Sequence, residues 1–207
     1  MTPEALVRSA ATWQTVPFVP EIRLLTAAEP FGLWDRTGRD APPFWAFPWA
    51  GGQALARYIL DRPGTVRGRR VLDAASGSGL AAIAAAKAGA ASVVAGDIDQ
   101  NAVAAIGINA AANGALVTAR PLDFAADDAG GAEVVLAADV FYQRELAGLA
   151  LRFLRAATRP GVHVLVADPG RAFLPAASLT PLTSYEVPVL TVLEDAPVKT
   201  VTVYRLI

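Results

Sequence analysis

The chain has 207 residues, of which 54% are hydrophobic and 18% are charged. This composition excludes a disordered chain, and the length favours one domain with a full layered core. The net charge of −1 excludes a general attraction to nucleic acid, and the absence of cysteine excludes disulfides and thiolate metal sites. The single histidine, His163, excludes a multi-histidine metal site and argues against a Ser-His-Asp triad, so we expect it to be structural.

The amino-terminal part of the chain predicts isolated elements rather than a repeating pattern. A helix is predicted at residues 3–14 and an edge strand at residues 22–25. The proline- and aromatic-rich stretch 42–49 leaves little scope for regular structure. Gly51-Gly52 follows, and a helix is predicted after this pair, ending at about residue 61. No stretch has the length and apolar character of a membrane helix or a signal peptide, so we expect a cytoplasmic protein without membrane contact.

From residue 70 onward, short apolar strands alternate with helices. Strands are predicted at residues 70–74, 92–96, 116–119, 133–138 and 162–168. Helices are predicted at residues 80–88, 101–112 and 145–157, and Asp99 is the expected N-cap of the second. This alternation predicts a parallel sheet that is covered by helices on both faces.

The tail of the chain breaks the alternation. Residues 184–193 and 199–206 are β-rich and have no long helix between them, so they predict a closing antiparallel hairpin. The whole pattern therefore predicts an α/β fold with a doubly wound, seven-stranded sheet that is mostly parallel and has an antiparallel C-terminal strand. We expect one domain over residues 1–207, in which residues 1–62 precede a core at residues 63–207.

The sharpest motif, Asp73-Ala-Ala-Ser-Gly77-Ser-Gly79, joins the first of these strands to its helix. Gly77 and Gly79 permit a tight turn and the close approach of a ligand to the backbone. The run from Gly77 to Ala82 also fits the loose dinucleotide fingerprint, and Asp97 lies where a ribose-binding acid belongs. On spacing alone, a nicotinamide dinucleotide is therefore a serious alternative.

The charge of Asp73 separates two possible cofactors. A dinucleotide loop presents backbone N–H groups to an anionic pyrophosphate, and a carboxylate just before the loop would oppose that binding. S-adenosylmethionine instead carries an ammonium group and a sulfonium, which a carboxylate attracts. The motif therefore favours S-adenosylmethionine.

Further side chains follow the later strands. Asp97 can accept two hydrogen bonds from the ribose hydroxyls of an adenosine, and Ile98 can pack on the adenine. Asp123 can accept from the adenine amine while the Phe124 N–H faces the ring; the alternative is an ordinary surface loop. In open α/β sheets, ligands bind outside the carboxyl ends of the strands, where these residues fall together with Asp139.

Three motifs occur in order along the chain: the stretch 43–61 with Trp49-Ala-Gly-Gly52, then Asp139-Val-Phe-Tyr142, then Asp168-Pro-Gly-Arg171. The last two resemble the Asp/Glu-x-x-Tyr/Phe and Asp-Pro-Gly-Arg motifs of seven-β-strand (class I) S-adenosylmethionine-dependent protein-lysine methyltransferases. The first resembles the segment before the first strand in the family that methylates the β subunit of electron-transfer flavoprotein. Where that family often has Trp-Pro-Gly-Gly this chain has alanine in second place, a change that removes no polar ligand.

The resemblance implies a Rossmann-like core, S-adenosylmethionine as cofactor, S-adenosylhomocysteine as product, and no metal. It implies methyl transfer to a lysine ε-amine of the electron-transfer flavoprotein β subunit by an enzyme that we expect to be monomeric. The residues expected to bind the cofactor are Trp49, Gly52, Asp73, Gly77, Gly79, Asp97, Ile98, Asp123, Phe124 and Asp139.

The reacting amine must be neutral, and desolvation in an aromatic channel lowers its pKa. Such a channel is predicted from Trp45, Phe47, Trp49, Phe141 and Tyr142, although the same residues could form a core cluster. Asp139 and Tyr142 are the expected catalytic residues, with Asp139 orienting the amine by a hydrogen bond. The alternative for Asp139 is a cap at the end of its strand.

Other functions remain open at this point. A ribosomal protein or a small amine could be the substrate, because ribosomal-protein lysine methyltransferases share the same core. A non-catalytic cofactor-binding module is a further alternative, against which the motif from Asp139 to Tyr142 speaks. The chain lacks the Asn/Asp-Pro-Pro-Tyr/Phe motif of base methylators, so we do not expect a nucleic-acid substrate.

Overall fold

The computed structural model describes residues 1–27, 43–189 and 196–207. Its strands are β1 (Thr12–Val16), β2 (Val19–Thr26), β3 (Arg70–Ala74), β4 (Ser92–Asp97), β5 (Thr118–Pro121), β6 (Val134–Ala138), β7 (His163–Asp168), β8 (Leu179–Pro188) and β9 (Val198–Leu206). Its α-helices are α1 (Pro3–Ala10), α2 (Ala50–Asp61), α3 (Leu80–Lys87), α4 (Gln100–Ala112) and α5 (Arg144–Ala157). Short 3-10 turns lie at Phe44–Ala46, Pro63–Thr65 and Ala176–Ser178.

The centre of the fold is a seven-stranded sheet with the order β5-β4-β3-β6-β7-β9-β8. Strands β3 to β7 pair in parallel, whereas β9 is antiparallel to both β7 and β8. The predicted fold class is therefore confirmed. Because β3, β4 and β6 are parallel, their carboxyl ends lie at one edge of the sheet. The strand order reverses beside β3, and open α/β sheets bind ligands at such a point.

The central strands are apolar on both sides because helices cover both faces of the sheet. One face packs on Leu55 of α2, Ile83 of α3 and Ile106 of α4, all fully buried. The other face packs on Phe153 and Leu154 of α5. Burying one such side chain stabilises a fold by roughly 1.5–3 kcal/mol. These two layers hold the strand ends in fixed positions.

The amino-terminal prediction was wrong in part. Helix α1 ends at Ala10, and the residues predicted to continue it form strand β1 instead. The β-branched and aromatic residues of that stretch favour an extended chain, and the pairing with β2 decides it. The predicted edge strand at residues 22–25 lies within β2, but it pairs with β1 in a separate two-stranded sheet rather than at the edge of the main one.

Two strand boundaries also differ from the prediction. The strand predicted at residues 116–119 is β5, which begins later, and the first tail strand is β8, which begins before the predicted residue 184. The reason is pairing, because β8 is defined by its register with β9 from Leu179 to Pro188. Residues 190–193 of that predicted strand, and residue 42 of the proline-rich stretch, lie outside the described residues.

His163 opens β7 at the amino edge of the sheet, opposite the ligand-binding edge. Burial, together with the charges of Arg69 and Arg205, lowers its pKa, and the position suits the structural role that we expected. None of the described helices is long and apolar enough to cross a membrane. The division into residues 1–62 and 63–207 stays a prediction.

Candidate active site

A cavity of about 690 Å³ opens at the carboxyl edge of β3, β4 and β6. Its volume falls in the range of about 300–1,000 Å³ that is typical of small-molecule sites. The cavity brings together residues from six parts of the chain that the sequence marked. Of the positions predicted to bind a cofactor or to act in catalysis, all but Gly79 line it: Trp49, Gly52, Asp73, Gly77, Asp97, Ile98, Asp123, Phe124, Asp139 and Tyr142.

The glycine loop between β3 and α3 forms the floor of this cavity. Gly77 and Gly79 have φ angles of +55° and +85°, which an L side chain rarely adopts. A Cβ on Gly79 would also lie 3.3 Å from the backbone of Ile106, so this glycine shapes the loop from the side of α4. Gly77 lies on the cavity side, where the nearest atom to an added Cβ is 3.8 Å away. The loop therefore leaves room for a ligand against its backbone.

Asp73 is a buried carboxyl at the end of β3, with only 2% of its surface exposed. Its Oδ2 accepts hydrogen bonds from the Ser76 hydroxyl and from the Ala82 N–H, the latter at 3.1 Å. Burial raises the pKa of Asp73 to about 7, against the two hydrogen bonds and with help from the charge of Asp97. A cation placed in the cavity beside this carboxyl would favour its charged form.

Asp97 ends β4 and holds the glycine loop in place. Its Oδ2 accepts from the Gly77 N–H at 2.9 Å, and its Oδ1 accepts from the Asp99 N–H at 3.0 Å. Burial raises the pKa of Asp97 in spite of these bonds. Each carboxylate oxygen has a further lone pair, so the side chain can still accept from two ligand hydroxyls.

Ile98 follows Asp97 and is 72% exposed although its side chain is apolar. It lines the cavity, as the flat face of an adenine would require. Its neighbour Asp99 accepts a hydrogen bond from the Asn101 N–H and is the N-cap of α4, as the sequence predicted.

Asp123 and Phe124 follow β5 and also line the cavity. The Oδ1 of Asp123 accepts from the Ala125 N–H at 2.8 Å, and its own N–H donates to Asp127, so this residue also organises a tight turn. The ring of Phe124 packs on Phe153 with 5.0 Å between the ring centroids. This geometry allows both of the roles predicted for Asp123, a residue of a surface turn and an acceptor for the adenine amine.

Asp139 lies directly after β6 in a left-handed conformation with φ of +55°. Its Oδ2 accepts from the Gly52 N–H at 3.2 Å, which seats the carboxyl on the amino terminus of α2. Its Oδ1 lies 3.5 Å from the Nη2 of Arg171, and only 13% of the side chain is exposed. Burial raises the pKa of Asp139 to about 7, against the charge of Arg171 and with help from Asp168. The residue thus combines the predicted position beside the cavity with the capping role that was its alternative.

Aromatic side chains form one wall of the cavity. Phe44 lies 5.3 Å from Tyr142 and 5.7 Å from Trp49 between ring centroids, and the Trp49 indole N–H donates to the Phe44 carbonyl. Tyr142 is 39% exposed, at the mouth. Trp45 and Phe47 line the cavity from a buried cluster beneath it.

The prediction that Phe141 lines the channel was wrong. Phe141 is fully buried in the core under α5 and does not border the cavity, because the chain turns sharply after β6 and adjacent side chains point apart. Phe44 and Arg171 are among the lining residues that sequence reasoning missed. Both lie inside motifs that the sequence had marked, and only the folded chain shows which members of a motif face the site.

Comparisons with known proteins agree with this geometry. Residues 54–140 match the family model described as ribosomal protein L11 methyltransferase (PrmA). The chain is 43% identical over 165 residues to an electron transfer flavoprotein beta subunit lysine methyltransferase of Xenopus laevis, a match that covers 75% of this chain and 65% of the relative. It is 34% identical over 173 residues to a homolog of that methyltransferase from Caenorhabditis elegans, covering 73% of this chain and 70% of the relative.

The chain spans 60–65% of the length of the vertebrate relatives from Xenopus laevis and Mus musculus. Among solved structures, its fold is similar to that of the Pyrococcus abyssi tRNA (uracil-54, C5)-methyltransferase in complex with S-adenosyl-L-homocysteine, with a TM-score of 0.61 at 15% identity. That match covers 96% of this chain and 44% of the other. At this identity, the likeness concerns the fold alone.

Proposed function

The chain belongs to the family of electron transfer flavoprotein beta subunit lysine methyltransferases, and on this premise we propose that it methylates a protein lysine with S-adenosylmethionine as donor. The favoured substrate is the β subunit of electron transfer flavoprotein, which the names of the relatives give. The observation that carries the proposal is the row of carboxyl side chains along one cavity, with Asp73 buried beneath a glycine loop.

The residues present fit this cofactor better than they fit a dinucleotide. Asp73 would hold the ammonium group, because a buried carboxyl whose pKa lies near 7 gains most from a neighbouring cation. Asp97 would accept from the ribose hydroxyls, with Ile98 and Phe124 beside the adenine. A pyrophosphate would instead place negative charge against Asp73 and Asp97, which costs binding energy in a partly dry cavity.

When bound, the cofactor supplies an activated methyl group, and the protein has to align the acceptor amine. The wall formed by Phe44, Trp49 and Tyr142 would strip water from a lysine side chain and so lower the pKa of its amine from about 10.4. Asp139 would then hold the neutral amine in line by accepting a hydrogen bond on its carboxylate. Aromatic faces also tolerate a methylated ammonium product.

The experiment that tests this proposal mixes the purified protein, S-adenosylmethionine and the electron transfer flavoprotein β subunit, and follows intact masses. We expect mass increments of whole methyl groups on the β subunit, and fragmentation should place them on lysine. Ribosomal protein L11 serves as the comparison substrate, since the matching family model is named for it. Methylation of L11 alone would transfer the proposal to a ribosomal substrate, and methylation of neither protein would contradict it.

The expected compartment is the cytoplasm, and the expected state is a monomer; both stay predictions from the sequence. No nucleic-acid or membrane partner is proposed.

A further inference from the structure

A buried asparagine links the glycine loop to the amino-terminal hairpin. Asn109 lies on α4 and is fully buried. Its Nδ2 donates to the carbonyl of Ser78 at 2.8 Å, and its Oδ1 accepts from the N–H of Leu25 on β2 at 2.9 Å. One side chain therefore satisfies a backbone group in the loop and a backbone group in the hairpin.

The bonded carbonyl belongs to a residue between two glycines of the loop. Ser78 stands between Gly77 and Gly79, both in left-handed conformations that glycine can leave at little steric cost. Because a peptide unit is planar, fixing the Ser78 carbonyl also fixes the direction of the Gly79 N–H. That N–H donates to the Ser76 carbonyl at 2.9 Å and thereby closes the turn. Without Asn109, the buried carbonyl would lose this partner, and the bond from the Gly79 N–H to Ser76 would be left to hold the peptide.

A second hydrogen bond links the hairpin to a segment that lines the cavity. Just after β2, the N–H of Ala27 donates to the carbonyl of Ala46 at 3.0 Å. Ala46 belongs to the aromatic segment in which Phe44, Trp45 and Phe47 line the cavity. The end of β2 is thus linked through Asn109 to the loop below the cavity, and the residue after it bonds directly to the aromatic segment beside the cavity.

We propose that Asn109 is a positioning residue for the cofactor loop, and that through it the β1–β2 hairpin sets the affinity of the cavity for its nucleoside ligand. The inference rests on the proposed cofactor. Asn109 itself is not among the residues lining the cavity, so its effect passes through the peptide between Ser78 and Gly79.

The chain offers a matched control one helical turn away. Asn113 accepts from the Arg23 N–H at 3.1 Å and donates to the Arg23 carbonyl at 2.7 Å. It therefore ties the same helix to the same strand as Asn109 does. Its side-chain amide also donates to the Asn109 carbonyl at 2.8 Å, and none of its hydrogen bonds among the described residues reaches the loop. A general loosening of the hairpin should follow from either substitution, whereas a loop effect should follow from Asn109 alone.

The experiment compares Asn109→Ala with Asn113→Ala by titration calorimetry with S-adenosylhomocysteine, at a temperature where both variants are folded. Loss of a hydrogen bond that a buried group needs predicts a Kd about tenfold higher for Asn109→Ala. For Asn113→Ala we expect a Kd within about twofold of the wild-type value. Amide exchange of Gly79 should accelerate in the first variant and hold in the second, which a merely structural role would not produce.

A second variant guards against misfolding. Asn109→Leu keeps the approximate volume of the side chain, so that it leaves no cavity, but it removes the donor that faces Ser78. It should raise the Kd at least as much as the alanine variant.

An unchanged Kd in either Asn109 variant, or equal losses in the Asn109 and Asn113 variants, would overturn the inference. A wild-type protein that binds no S-adenosylhomocysteine would instead contradict the proposed function, so the two failures are distinguishable.

Discussion

At the scale of single residues, the site is a set of carboxyl groups whose pKa is raised by burial more than it is lowered by their hydrogen bonds and neighbouring charges. Asp73 and Asp139 are each buried enough to raise their pKa to about 7, and burial raises the pKa of Asp97 as well. Carboxyl groups perturbed in this way are typical of sites that await a ligand, because a hydrogen-bond donor or a cation restores what burial removed.

The raised pKa of Asp73 predicts that binding of the cofactor releases protons. Its pKa of about 7 means that the carboxyl is partly protonated near neutral pH. A ligand ammonium favours the charged form, so binding of S-adenosylmethionine at pH 7 should release up to about half a proton from this carboxyl, and affinity should rise between about pH 6 and pH 8. Calorimetry in two buffers of different ionisation enthalpy measures this release.

Two controls isolate the carboxyl in that measurement. S-adenosylhomocysteine keeps the ammonium group without the sulfonium charge and should still release protons, whereas methylthioadenosine has neither charge and should release fewer. Asp73→Asn should reduce the release. Proton uptake on binding of S-adenosylmethionine is the outcome that this assignment does not allow.

The proposed role of Asp139 predicts that its replacement lowers the rate of methyl transfer. Asp139→Ala would leave the Gly52 N–H without its acceptor, so Asp139→Asn is the cleaner variant, because the amide oxygen can keep that bond. Loss of the carboxylate that aligns the amine should lower the single-turnover rate by about 10²-fold, while cofactor affinity changes much less. The comparison needs saturating cofactor and a parallel calorimetric titration. A rate within about twofold of wild type would leave Asp139 as a cap of α2.

At the scale of elements, the site depends on how closely α2 approaches the sheet. A Cβ on Gly51 would lie 2.5 Å from the Asp139 Oδ2 and 2.7 Å from the Ala167 carbonyl. The carbonyl belongs to β7 in the middle of the sheet, so it has little room to move. Glycine is therefore required at the first turn of this helix.

Gly51→Ala should push α2 away from the strand ends, and both stability and methyl transfer should fall. Gly107→Ala is the matched control, since Gly107 also lies in a helix and no atom lies within 4 Å of its would-be Cβ. That substitution should stabilise the protein slightly, by up to about 1 kcal/mol. Thermal melting and initial rates of both variants test the pair, and wild-type behaviour of Gly51→Ala would show that the helix can shift freely.

Some of the residues at the ends of these elements could be predicted from the sequence. Asp73, Asp97 and Asp139 were predictable together because each lies at or just after the carboxyl end of an apolar strand, and parallel strands bring these ends to one edge. The N-cap role of Asp99 was predictable because it depends on neighbours in the chain.

Contacts between distant segments were not predictable from one sequence. The approach of Arg171 to Asp139 and the bond from Asn109 to Ser78 depend on the relative placement of whole elements. The direction of Phe141 depends on a turn that its neighbours do not encode. Strand β1 was missed for the same reason, because its state is decided by pairing with β2 rather than by the helical pattern before it.

At the scale of the whole molecule, the buried carboxyl groups should make stability depend on pH in an unusual direction. An unfolded aspartate has a pKa of about 3.9, whereas Asp73 and Asp139 have raised values of about 7 in the folded chain. Between these values the folded state binds more protons than the unfolded state. Their contribution is therefore fully present below about pH 4, and it is lost as the pH rises through 7.

We expect a higher urea midpoint at pH 5 than at pH 7.5 in the absence of ligand. Glu21 acts the other way, because its hydrogen bond to Arg57 lowers its pKa, and its stabilisation is lost as the pH falls through that lowered value. That group is exposed, so its contribution is small. Asp73→Asn should flatten the profile. A midpoint that climbs steadily from pH 5 to pH 7.5 would show that these carboxyls ionise freely in the folded protein.

The central claim is that the cavity at the carboxyl edge of the sheet holds the methyl donor, with its reacting end facing the acceptor lysine. A crystal structure of the protein with S-adenosylhomocysteine tests this most directly. We predict the ribose hydroxyls within hydrogen-bond distance of Asp97, the amino group beside Asp73, and the sulfur facing the opening between Asp139 and Tyr142. A nucleoside bound elsewhere, or one whose sulfur points away from Asp139, would contradict the account.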